Sequence, residues 1–267
     1  MTRPLVAERT LRDRRRGIIG WCVGLAAYVV LQSSIYPTVR ESAFQQALRD
    51  YPKELKAFFG GAASFDFTTA GGYLNVELFS LVLPALLVVF AIGIGAAAFA
   101  GELQTGTLDL LLSYPVTRAR VAVEKFAAMV AGVVMLATVV AAAVLLASVV
   151  IGFDIGVVDT LVACIGAAMV AIACGGITML VGILTGSRAA AIGAAAALFA
   201  ASYLAVGMAG LVSWLEPVRY ASLLWYSNGS APLMHGLPVG DYLVLFGACV
   251  AVGVATVVAF RARDLVR

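Results

Sequence analysis

The chain has 267 residues, of which 62% are hydrophobic and 12% charged, and its formal net charge is +3; its mean hydropathy is +1.00. A soluble domain carries about 25% charged residues, so this composition excludes a water-soluble globular protein and makes the bilayer the expected solvent. The small net charge, with no basic patch interleaved with aromatics in a polar segment, argues against nucleic acid as a partner.

Six apolar stretches follow one another along the chain, at 17–36, 78–100, 126–152, 160–186, 189–214 and 242–260, and none holds an Asp, Glu, Lys, Arg or His. Each is long enough to cross a hydrocarbon core of about 30 Å. Backbone groups in lipid must satisfy one another, which makes helices the expected form. The predicted fold is an all-α integral membrane protein with six transmembrane helices in a single domain over 1–267. The first stretch follows Arg14, Arg15 and Arg16, as a signal peptide would. Its apolar run is longer than a typical h-region, however, and Gln32-Ser33-Ser34-Ile35-Tyr36 is a poor cleavage site.

An even number of spans puts both termini on one side. With that side cytoplasmic, thirteen of the eighteen Lys and Arg residues fall in inner segments and five (Arg40, Arg49, Lys53, Lys56 and Arg219) in outer ones. The bias predicts both ends inside. Residues 1–16 then form a cytoplasmic N-terminal segment. The outer loop at 37–72 carries an amphipathic segment with Phe44, Leu48, Tyr51, Leu55 and Phe58 on one face. Pro52 splits it into two short helices that rest at the interface or close over a cavity. The turn Thr185-Gly186-Ser187-Arg188 is tight and predicts an antiparallel helix pair. The outer loop at 215–241, rich in Pro, Gly and aromatics, has the composition of a re-entrant or interfacial segment.

Gly20-x-x-x-Gly24 and Gly182-x-x-x-Gly186 have the spacing that lets helices approach closely, either within the bundle or at a dimer seam. The four cysteines lie in apolar runs. Cys164 and Cys174 stand ten residues apart on one predicted helix, about 15 Å at the helical rise, too far for a disulfide. All four read as packing residues.

The inner loop at 101–125 carries the functional signal. It runs Gly101-Glu102-Leu103-Gln104-Thr105-Gly106-Thr107-Leu108-Asp109-Leu110-Leu111-Leu112-Ser113-Tyr114-Pro115-Val116-Thr117-Arg118. Thr107 can cap a helix beginning at Leu108. Pro115 disfavours helix at Tyr114 and ends it after about two turns, and Thr117 can cap the third span. The product is a short surface helix with Leu108, Leu111 and Leu112 on one face. An apolar stripe outside the bilayer must cover something: its own helices, the lipid, or a groove of another protein.

This loop closely resembles the cytoplasmic coupling region of type-2 ABC transporter permeases, where a Glu is followed by Gly-Thr, a leucine-rich stretch, Ser-x-Pro-Val and an Arg. The matching residues are Glu102, Gly106-Thr107, Leu108 to Leu112, Ser113, Pro115-Val116 and Arg118, and Lys125 falls where such permeases usually have a Lys. The resemblance is strong over 83–131. It is weaker in the basic N-terminal segment and at 216–236, where Glu216 and Val218 stand in place of the family's Ser and aromatic. It implies a dimeric permease, with itself or a related permease, seated on two copies of a separate ATPase subunit. Glu102, Thr105, Gly106, Thr107, Leu108, Leu111, Leu112, Ser113, Pro115 and Arg118 would form the ATPase interface, and transport would be export by alternating access. ATP and Mg would belong to the partner subunit, with no metal or cofactor expected in this chain.

The residues agree with that division of labour. A phosphate-cradling P-loop needs Gly-Lys-Ser/Thr, and Lys53, Lys56 and Lys125, the only lysines, follow Pro52, Leu55 and Glu124. An ion-coupled secondary transporter is the first alternative, but such carriers commonly hold ionisable groups near the midplane, and Glu77 lies near the outer end of the second stretch. An intramembrane enzyme fares worse, because His235 is the sole imidazole and has no catalytic partners in sequence. A non-transporting membrane anchor would explain the spans but not the leucine-bearing loop.

Overall fold

The computed structural model describes residues 5–39, 69–107, 117–209, 213–229 and 231–262, and all regular structure among them is helical. A short helix α1 (Leu5–Asp13) leads into six long ones: α2 (Arg15–Val39), α3 (Ala70–Gln104), α4 (Arg118–Ile151), α5 (Val157–Thr185), α6 (Arg188–Ala209) and, after two short helices, α9 (Val239–Ala262). The short ones are α7 (Leu223–Asn228) and α8 (Pro232–His235), preceded by a 3₁₀ segment at Ser213–Ala221. The six long helices are apolar and long enough to cross a membrane. The amphipathic loop segment from Phe44 to Phe58 lies outside the described residues.

The helices overrun the apolar stretches. α4 starts at Arg118 rather than Phe126 and has 34 residues, about 51 Å at the helical rise against a core of about 30 Å. The excess carries charge: α3 includes Glu77 and Glu102, α4 includes Glu124 and Lys125, and α5 includes Asp159. The apolar stretches themselves stay free of charge, as expected, while their helices run on into flanking turns whose charges are solvated or paired. α2 likewise runs through Pro37 to Val39, since a proline in the last turn forfeits only one backbone hydrogen bond.

α5 is the axis of the bundle. Two thirds of its apolar window is buried (67%), against 17% each for α6 and α9. Its small residues make this possible. A Cβ on Gly95 of α3 would stand 2.7 Å from the Gly175 carbonyl oxygen of α5, one on Gly175 would stand 2.9 Å from the Ala91 Cβ, and one on Gly182 would meet the Ala100 Cβ at 3.2 Å. Backbone therefore touches backbone where α3 crosses α5. Lipid tails are as apolar as leucine, so helices in a bilayer associate through such close packing. Gly186 does not continue this seam: at φ +68 it ends α5, its N–H donating to the Gly182 carbonyl at 3.0 Å. The Ser187 hydroxyl then accepts from the Ala190 N–H and starts α6 antiparallel. Gly20 and Gly24 have nothing within 4 Å and face outward.

α9 runs parallel to α5 in a fixed register. Tyr242 donates to the Val162 carbonyl (2.8 Å), Cys249 to Met169 (3.2 Å) and Thr256 to Gly176 (3.4 Å). Donors and acceptors both repeat every seven residues, the seam spacing of shallowly crossing helices. Between α6 and α9 the chain folds back into the bundle. Leu224 and Leu233 are buried, and the Ser222 hydroxyl donates to the Ser202 carbonyl of α6 at 2.9 Å. At the same end, Gln32 donates to Glu77 at 3.4 Å and Tyr73 to the Gln32 carbonyl at 3.2 Å, tying α2 to α3.

Overpacking a close crossing costs about 1–3 kcal/mol. Gly95→Val is therefore expected to lower the thermal midpoint of the detergent-purified protein by several degrees. Gly247→Val, on a face of α9 with nothing within 4 Å, should leave it unchanged.

Candidate functional site at the basic end of the bundle

One end of the bundle gathers the start of α2, the ends of α3, α5 and α9, and the starts of α4 and α6. Phe99 of α3 stacks on Phe260 of α9 with ring centroids 4.8 Å apart. Arg14, just before α2, lies close enough to Arg188 of α6 and Glu102 of α3 to be perturbed by both. Burial first, then repulsion from Arg188, lowers the Arg14 pKa, while Glu102 opposes the shift. A guanidinium stays charged throughout, so this end is positive.

Lys125 sits at the centre of this end. Its side chain is 2% exposed, two turns inside α4, and its ammonium donates to the Glu102 carboxylate and to the Ala98 carbonyl of α3. It also lies over the Phe99 ring, 4.9 Å from the centroid. The backbone of α3 is adapted to this contact. Ala97–Gly101 forms a π turn, which widens the helix by one residue and interrupts the regular i→i−4 ladder just where the Ala98 carbonyl meets the ammonium. A buried ammonium requires a counter-charge and further acceptors, and these two oxygens and the aromatic face supply them.

The same contact closes the inner loop at its base. The turn Glu102–Thr105 that closes α3 stops at Gly106, which adopts φ +70, a conformation that suits glycine. The Thr107 hydroxyl reaches back toward the Glu102 carbonyl at 3.5 Å. On the other side the Thr117 hydroxyl accepts from the Arg120 N–H at 3.4 Å and caps α4, as its sequence position predicts. Arg118 opens α4, and Arg120 pairs with Glu124 at 2.7 Å one turn on. Glu102, Gly106, Thr107 and Arg118 are thus brought to the two rims of the loop. The side chain of Thr105 and the residues 108–116, with Leu108, Leu111, Leu112, Ser113 and Pro115, lie outside the described residues.

Sequence reading singled out Glu102 and Lys125 separately and assigned neither a partner. Opposite charges flanking one loop, each just outside a charge-free stretch, are the signal that could have joined them. Arg14, Arg188 and Phe99 carried no such signal, since only the fold brings α2, α6 and α3 together.

Removing one partner of a buried ion pair costs up to about 3–5 kcal/mol. Glu102 is 33% exposed, so solvent relieves part of this, and about 2–3 kcal/mol is expected for Glu102→Gln. The double variant Glu102→Gln/Lys125→Gln should recover part of that loss, and a double-mutant cycle on thermal stability measures the coupling.

The family described as ABC-2 family transporter protein matches residues 5–265. Comparison with curated proteins gave no match. Because the family match runs through all six membrane-crossing helices and across the loop that α3 and α4 hold at its base, this multi-pass membrane protein belongs to the ABC-2 family and is a permease of an ABC transporter.

Proposed function

We propose that this permease works as a dimer on two copies of a separate ABC ATPase subunit and exports an amphipathic or hydrophobic substrate from the cytoplasm across the plasma membrane. The observation that carries the reading is the Lys125–Glu102 contact. It fastens α3 to α4 directly above the loop whose residues resemble a coupling helix. A loop anchored this way passes a displacement to both helices together, whereas a loosely tethered one would absorb it. The basic end of the bundle, with Arg14, Arg118, Arg120 and Arg188, takes the cytoplasmic side, following the bias of basic residues toward that face. ATP and Mg are handled by the partner subunit.

Two exposed faces support the dimer. α9 presents large apolar side chains to its surroundings (Leu243, Phe246, Val250, Val254), a surface suited to lipid. α6 instead exposes mostly alanine, and Gly193 of α6, with Gly20 and Gly24 in the first half of α2, has nothing within 4 Å. Small residues on an outer face suit close helix approach better than lipid contact. The proximity of Arg14 and Arg188 places the inner ends of these helices on one side of the molecule. Substrate would move along the seam that α2, α3 and α6 form with a second copy.

A mild-detergent pull-down of the tagged protein from its native membrane tests the coupling. A stoichiometric soluble-type subunit bearing a P-loop is expected to co-purify, and to be lost with Leu111→Asp while the permease stays monodisperse. Recovery of the chain alone, across several detergents and with ATP analogues present, would overturn it. For the dimer, Gly193→Leu should leave the fold intact and shift native mass spectra toward the monomer.

A further inference from the structure

The side of the bundle formed by α4, α5 and α9 is not smooth. The three helices enclose an open groove of about 800 Å3, within the range of sites that hold small ligands. Along α4 its lining runs from Val123 to Ala141, about 27 Å at the helical rise and most of the thickness of a hydrocarbon core.

Packing, not looseness, shapes this groove. Phe126 fills the floor at the basic end, and its ring lies 3.1 Å and 3.2 Å from where a Cβ on Gly176 or Gly253 would stand. Farther along, the floor is made of small buried residues, among them Ala141, Cys164 and Ala168. Its polar groups are already engaged. The Thr138 hydroxyl donates to the Val134 carbonyl at 2.8 Å and the Cys249 thiol to the Met169 carbonyl at 3.2 Å. The walls therefore offer hydrocarbon and nothing that would select a polar ligand.

The mouth at the basic end is different. Val254, Val257 and Val258 of α9 line the groove. Arg261 lies seven, four and three residues beyond them, on the same helix face. It is exposed and forms no ion pair among the described residues. Across the mouth, Arg120 of α4 stands three residues before the lining residue Val123, its guanidinium engaged by Glu124.

We propose that this groove is a binding site for an anionic phospholipid, with its acyl chains in the slot and its phosphate at Arg261. An apolar slot about as long as a leaflet is deep or longer, ending at an exposed cation at the membrane surface, matches a lipid in both shape and charge. A second helix fits less well, because the rim is built of Leu161, Phe246, Val250 and Val254 rather than the small residues that helix docking in lipid favours. The site goes beyond the transport role and stands on a face separate from the proposed dimer seam.

The test uses the full chain in vesicles of phosphatidylcholine with a minor fraction of phosphatidylglycerol, one or the other lipid being brominated on its acyl chains. Val254→Trp places a fluorophore on the groove wall about 10 Å from Arg261 by helical rise. Leu146→Trp, exposed on α4 outside the groove, reports bulk lipid, and the wild type supplies the background of the native tryptophans. Brominated phosphatidylglycerol is expected to quench Val254→Trp roughly fivefold more per mole than brominated phosphatidylcholine, the factor that corresponds to one basic residue at an anionic surface. The preference should vanish in Val254→Trp/Arg261→Gln and be absent at Leu146→Trp. Equal quenching by both lipids at Val254→Trp, or a preference that survives Arg261→Gln, overturns the proposal. Protection from both lipids together with a co-purifying polypeptide would overturn it in favour of a helix partner. Native mass spectrometry of wild type and Arg261→Gln provides a reading without a groove substitution, with a severalfold loss of phosphatidylglycerol adducts expected and unchanged adducts counting against the site.

Discussion

Everything in this bundle is arranged around how closely α3 and α5 can approach. In water a helix pair is driven together by the removal of apolar surface from solvent. In lipid that drive is absent, and contact must come from packing. Gly95 and Gly175 bring two backbones together at the centre of the molecule, which leaves α5 surrounded by α3, α4, α6 and α9. The hydrogen bonds from Tyr242, Cys249 and Thr256 then fix α9 along the same axis. Polar side chains here secure register, while small residues create the space.

The crossing of α3 and α5 has consequences at the basic end. With α3 held on one side and α4 on the other, Glu102 and Lys125 meet above the loop that joins their helices. The lysine is placed deep enough to need the π turn at Ala97–Gly101 and the Ala98 carbonyl. This contact ties together the two helix ends that flank the loop. In the proposed coupling to an ATPase, such rigidity is the physical requirement, and the cluster of Arg14 and Arg188 beside it extends the same platform to α2 and α6.

The faces of the protein differ in kind, and the difference follows from side-chain size. α6 is thin, its exposed face mostly alanine, and the first half of α2 has open glycines at Gly17, Gly20 and Gly24. α9 and the outer faces of α4 and α5 carry valine, leucine and phenylalanine. A surface of the first type is poorly matched to lipid tails and well matched to another helix. One of the second type is the reverse, and where it is indented, as between α4, α5 and α9, acyl chains are its natural complement.

Much of this was legible in the residues themselves. Six stretches free of charge define six spans, because an unpaired charge in hydrocarbon is too costly for any other reading, and Thr117 and Gly186 mark helix boundaries through backbone chemistry that acts locally. The loop order from Glu102 to Arg118 carried the family. Span limits were less legible, because charged turns extend the helices at both ends of α3 and at the start of α4. What sequence could not decide is which helix faces which. Apolar on nearly every side, these helices have no amphipathic stripe to point inward, so only three-dimensional packing selected Gly95 and Gly175 for the core and left Gly20 and Gly24 outside. For the same reason the pairing of Lys125 with Glu102, the positions of Arg14 and Arg188 beside them, and the groove ending at Arg261 belong to the tertiary structure: each depends on the crossing of helices that are far apart in the chain and alike in composition.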